Sequence, residues 1–178
     1  MASNVLIRCI RRYRQSLSLD AVGLYDAEFC NRLGEPELEL SVYSVPTEQW
    51  LSAFMCHRAS SGADFPRFAR AVDVSMIRND SALEHVPNCK FSALSAAHRV
   101  LKFTDEVQLR GFVQELVDAV ASRRARVFEE SKDNLKRWLR ERRKIGDAEW
   151  QNFLSAKSDD DTWAKHARVS GSTPPPSA

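Results

Sequence analysis

No apolar run in this chain comes near the roughly eighteen residues that a membrane-crossing helix needs. A soluble protein without membrane contact is therefore expected. The six glycines are scattered, and none builds a loop that cradles phosphate with backbone N–H groups. No serine stands on a nucleophile elbow with His and acid partners. Carboxylates are plentiful, yet none is paired in the apolar setting that acid–base work requires. Internal repeats are lacking as well. These absences remove the common signatures of catalysis, so catalysis is unsupported rather than excluded, and no cofactor or small-molecule substrate is expected.

Cysteine is sparse and dispersed. Cys9, Cys30, Cys56 and Cys89 form no CxxC pair, and a chain of 178 residues can bury a core without disulfide staples. With no hydrophobic signal peptide in view, a reducing cytoplasmic setting is the simplest expectation. One alternative comes from residues 1–19, which hold four Arg, three Ser and no acid. Leu6, Ile10, Tyr13 and Leu17 share a helical face there, the pattern of a mitochondrial transit peptide. Cys56-His57 and His85-x-x-x-Cys89 nominally supply a zinc set. Adjacent residues on a helix point about 100° apart, however, so Cys56 and His57 do not close on one ion. No metal is expected.

Charge is present but uneven. The formal net charge is +2, with 43% hydrophobic and 28% charged residues, a globular composition. Residues 1–121 are net −2 and residues 145–178 are net −2, whereas residues 122–144 are net +6. A basic character confined to one segment does not describe a general polyanion binder.

Residues 37–45, ELELSVYSV, alternate: Leu38, Leu40 and Val42 on one face, Glu37, Glu39, Ser41 and Tyr43 on the other. This spacing predicts a half-buried strand. Further strands are predicted near 4–10, 70–77 and 98–103. Trp50, Leu51, Phe54 and Met55 predict a helix over 47–59. The expected fold is α+β. A small, mostly antiparallel sheet fills residues 1–103, and a helical region at 104–168 packs on it and projects from it. Residues 169–178 form a disordered tail.

From Asp105 to about Ile145 only Gly111 interrupts a helical pattern, and Pro is absent. Leu109, Val113, Val117, Val120, Val127, Phe128, Leu135, Trp138 and Leu139 fall within one arc of about 120°. One long amphipathic helix, N-capped by Thr104, is predicted. Forty residues would span about 60 Å, so part of it must project. A short helix near 147–157 and a last turn capped by Ser158 follow.

The stretch RRARVFEESKDNLKRWLRERRK (123–144) carries ten Lys/Arg and four Asp/Glu. Lys132, Lys136, Arg140 and Arg143 lie within about 80° of one another, opposite the apolar stripe, as a candidate phosphate track. Beside them Asp133, Arg137 and Glu141 make an i,i+4 ladder able to pair internally. Trp138 sits with the apolar stripe rather than among the cations, which speaks for an interface anchor rather than a base-stacking platform.

RNDSALEH, Arg78 to His85, resembles the motif of HEPN ribonucleases, an Arg, a polar residue, and a His a few residues on. The resemblance covers eight residues. It implies that Arg78 and His85 of a dimer act together on an RNA backbone, within an all-helical bundle. A strand-like segment before the motif and Pro87 after it depart from that setting.

The leading expectation is an accessory interaction protein. It would dock on a protein partner, or a second copy of itself, through Val127, Phe128, Leu135, Trp138 and Leu139. The alternatives are a nucleic-acid-associated protein using Lys132, Lys136, Arg140 and Arg143, and a ribonuclease using Arg78 and His85.

Overall fold

The computed structural model describes residues 4–10, 29, 35–77, 82–87, 89–157 and 161–168. The alternation around residue 40 becomes strand β2 (Glu39–Pro46). Leu40 and Val42 enter one apolar cluster, and Tyr43 and Val45 enter another on the opposite face. Both faces are thus covered. Tyr43, expected on the wet side, is buried.

Strand β1 (Asn4–Cys9) pairs with β2 from Asn4↔Pro46 to Ile7↔Tyr43, and with β3 (Phe68–Asp73) from Ile7↔Asp73 to Cys9↔Ala71. On the far side of β2 runs β5 (His98–Lys102), with the exposed β4 (Ala82–His85) outside it. Strand β6 (Val127–Ser131) closes the other edge against β3. The order is β4-β5-β2-β1-β3-β6, and every pair is antiparallel. The expected strands near 4–10, 37–45, 70–77 and 98–103 are β1, β2, β3 and β5. Strands β4 and β6 were not foreseen.

Helices cover the sheet unequally. Helix α3 (Glu106–Ala121) buries Leu109, Phe112, Val113 and Leu116 against Leu40, Val42, Val72 and Leu101. The opposite face carries α1 (Trp50–Ser60), α2 (Ser92–Ala97), α4 (Lys132–Lys144), α5 (Ala148–Ser155) and α6 (Thr162–Ala167). A 3₁₀ turn at Thr47–Gln49 leads into α1. No helix among the described residues is long and apolar enough to cross a membrane.

The long projecting helix is corrected. Its stretch divides into α3 of 16 residues, strand β6, and α4 of 13. The break is a Schellman cap. Arg123 adopts φ 58°, and its N–H donates to the Val120 carbonyl at 3.1 Å. The Arg124 N–H donates to the Ala119 carbonyl at 2.8 Å. Glycine usually fills that left-handed position, so an arginine there carries no visible stop signal. Val127 and Phe128 then pair with Val72 and Ala71. Val120 to Val127 is seven residues, close to two helical turns, so the strand keeps the helical phase by coincidence.

Since β6 belongs to the sheet, the sheet extends past residue 103. The α3 N-cap is Asp105, whose carboxylate accepts from the Gln108 N–H at 2.9 Å, while the Thr104 N–H donates to the Gln108 side chain at 2.7 Å. This is a reciprocal cap one residue later than Thr104. Helix α6 is capped by Asp161. Ser158, the tail 169–178 and most of residues 1–19 lie outside the described residues.

Candidate functional site

Ser131 ends β6 and caps α4, its hydroxyl accepting from the Asn134 N–H at 3.4 Å. With that start, Leu135 and Leu139 face inward and are fully buried in the cluster shared with α1, α5 and α6. Trp138 is partly buried and meets the Trp150 ring edge-on, with centroids 5.2 Å apart, under the Arg142 guanidinium. Phe128 is buried and stacks on Trp50 at 5.3 Å, while Val127 is half-buried on the α3 side. The neighbours of the predicted docking stripe therefore belong to this chain.

Helix α6 packs with α5 on this apolar side of α4. Trp163 anchors that helix. Its indole N–H donates to the Ala63 carbonyl at 2.9 Å, and its ring stacks on Trp150 and meets Phe65 edge-on at 5.1 Å. With Trp163 and Ala167 turned inward, Lys165 is exposed and His166 half-buried. The His166 ring lies 4.5 Å from the Phe65 ring.

Burial holds the His166 imidazole below its ordinary value, and the charges of Lys136, Lys132, Lys165 and Arg140 push it further down. Three members of the α4 row and one α6 cation thus act electrostatically on the same imidazole. Arg143 is set apart from this group. It lines a separate cleft of about 280 Å³ with Lys157 and Arg168, between α4, α5 and α6.

The Asp133–Arg137–Glu141 ladder is not formed as expected. Arg137 donates to the Asn134 side chain at 2.6 Å, and the highly exposed Asp133 lies 3.6 Å from Lys136. An ion pair that exposed offsets little of the lysine's charge. Arg142, which lay outside the predicted row, reaches Asp147 at 4.0 Å.

The chain matches no family model, no curated protein and no solved structure. Function is therefore argued from side chains alone.

The other predicted residues disperse. His85 ends the exposed strand β4, with Nε2 3.1 Å from the Ser95 carbonyl. Arg78 lies outside the described residues. The sheet contradicts the all-helical bundle that the HEPN resemblance implies. Of the nominal zinc set, Cys56 is buried, and burial foremost pushes its thiol up to about 12. His57 turns to Tyr43, whose hydroxyl lies 2.6 Å from its Nδ1. The Cys89 Sγ lies 4.0 Å from Nδ1 of His98, whose pKa is lowered mainly by burial. Among the described residues no group of three such side chains is placed to hold a metal.

Tyr43 is buried between two imidazoles, hydrogen-bonded to His57 and stacked on His98 at 5.2 Å. Burial raises its phenol far above the ordinary value. This cluster fixes core geometry. It was invisible in sequence because its members come from β2, α1 and β5.

Sequence reasoning missed Lys165 and His166. The available signal was TWAKHAR, where an aromatic anchor sits among cations on a short helix. Only the packing of α6 on α4 joins them to the earlier row.

Proposed function

We propose that this protein binds the phosphate backbone of a nucleic acid through the face built by α4 and α6. The observation that carries the reading is that Lys132, Lys136 and Arg140 fall one turn apart on α4, the helix on which α6 packs with Lys165. Lys136 meets the highly exposed Asp133 at 3.6 Å, and a row of cations along one helix face still raises the local positive potential, for which phosphates are the common partner. The packing of Phe128, Leu135 and Leu139 inside this chain also favours the cationic face over the apolar stripe as the contact surface. Trp138 lies against Trp150, so base stacking is not part of the reading.

Fluorescence anisotropy with a labelled single strand and a labelled duplex, between about 50 and 200 mM salt, tests the proposal. Four engaged cations give a slope of log affinity against log salt of about −3 to −4. Lys136→Glu/Arg140→Glu should weaken binding more than about tenfold and flatten that slope, with an unchanged thermal melt. Binding that ignores salt, or a charge-reversed variant that binds like the parent, overturns it.

A further inference from the structure

A second cationic feature uses none of the α4–α6 residues. The last turn of α1, the segment before β3, and β3 itself enclose a cleft of about 140 Å³. Among the described residues, Arg58, Arg67 and Arg70 line it together with Ile10, Phe54, Pro66 and Phe68, and none of these is an acid. We propose that this cleft binds a single phosphate monoester group, held by the guanidinium groups of Arg58, Arg67 and Arg70.

Each arginine is supplied by a different piece of backbone, so the gathering is a product of the fold rather than of a basic run. Arg58 is half-buried. Its Nε is buried without a hydrogen-bond partner, and one terminal nitrogen makes only a long 3.5 Å contact to the Asp64 carbonyl. Burial pushes its pKa down, and the Asp64 charge opposes that shift. Arg67 is exposed at the mouth. Arg70 is engaged through Nε by Glu129 at 3.0 Å. Glu129 is half-exposed and Asp64 exposed, and neither reaches the lining, so neither fills the space among the three forks.

The chemistry selects the ligand. A guanidinium presents paired N–H donors that match two oxygens of an oxyanion. One such fork satisfies a carboxylate, with its two oxygens and single charge. Three forks suit a dianion with three terminal oxygens, which a phosphate monoester supplies. The volume is about half the lower bound of roughly 300 Å³ for pockets that take a whole drug-sized ligand. The cleft therefore takes a group, with the remainder of its bearer outside. Phe54, Phe68 and Pro66 keep the walls apolar and strengthen each charge–charge contact.

Two sources could present that group: a small phosphorylated metabolite, or the terminal phosphate of a strand bound along α4 and α6. Phe65 links the two regions, since its ring contacts His166 and Arg67 follows two residues later.

Calorimetry on the full chain with adenosine monophosphate, adenosine and inorganic phosphate tests the pocket directly. Anisotropy with 5′-phosphorylated and 5′-hydroxyl strands of one sequence separates the sources. The monophosphate is expected to bind and adenosine not. Arg67→Gln should lose at least about tenfold, in line with the removal of a charged hydrogen bond, and Arg58→Gln should behave alike. Arg67 is exposed, so its variant remains informative should Arg58→Gln fail to fold.

Preference for the 5′-phosphorylated strand assigns the group to a nucleic-acid end. Equal strand binding with retained monophosphate binding assigns it to a small metabolite. Retention of monophosphate binding in Lys136→Glu/Arg140→Glu also supports the pocket, even if strand binding is absent and the α4–α6 reading fails. Equal behaviour of monophosphate and adenosine, or undiminished binding by Arg67→Gln, overturns it.

Discussion

Replacing Arg123 with glycine sets the observed fold against the pattern that the chain displays. Arg123 holds φ 58° at the left-handed position of the cap that ends α3. A side chain with a β-carbon costs about 1–2 kcal/mol there, and glycine removes that strain. The greater freedom of glycine in the unfolded chain takes back about 0.4–1 kcal/mol. Arg123→Gly should therefore stabilise by about 0.5–1 kcal/mol. At about 2–4 °C per kcal/mol for a chain of this size, the melting temperature rises by about 1–4 °C. Had residues 105–145 formed one continuous helix, the same glycine would sit in its interior and cost about 0.5–1 kcal/mol. The two arrangements predict opposite signs. Urea unfolding with an unchanged m-value reads the difference, and a lower midpoint for Arg123→Gly would refute the cap.

Two further outcomes follow from burial. Leu139 is fully buried, so Leu139→Ala should destabilise by about 2–5 kcal/mol in thermal or urea unfolding, while a change below about 0.5 kcal/mol would mean the side chain is a surface residue. Burial pushes the Cys56 thiol from 9.0 to about 12, so the folded chain keeps a proton that the unfolded chain loses as pH rises. That stability is fully present below pH 9.0 and is lost between pH 9.0 and about 12, with a slope of up to about 1.4 kcal/mol per pH unit. Urea midpoints across this window should fall less steeply for Cys56→Ala, and an identical slope would count against the buried thiol.

Much of the α+β character was legible because it depends on local periodicity. Leu40 and Val42 alternate with polar neighbours, and Leu109, Val113 and Val117 recur at helical spacing, whichever surfaces they later meet. The helix break was not legible. Arg123 occupies a position that glycine usually marks, and Val127 keeps helical phase by coincidence. Strand β4 was hidden for a different reason. Its four residues carry too short a pattern, and its pairing with β5 lies in the tertiary structure.

The candidate site divides along the same line. The amino-acid order alone determined that Lys132, Lys136 and Arg140 share a helix face, since a fixed rotation per residue aligns them once α4 forms. It also placed Leu135 and Leu139 on the opposite side. What those faces meet is a long-range matter, decided when the Trp150 and Trp163 rings stack and draw α5 and α6 onto the apolar side of α4. That packing buried Leu135 and Leu139 of the expected docking stripe, set α6 with Lys165 and His166 against α4, and left Arg143 in another cleft. The gathering of Arg58, Arg67 and Arg70 is likewise tertiary, because no helical or strand period relates residues on α1, a loop and β3.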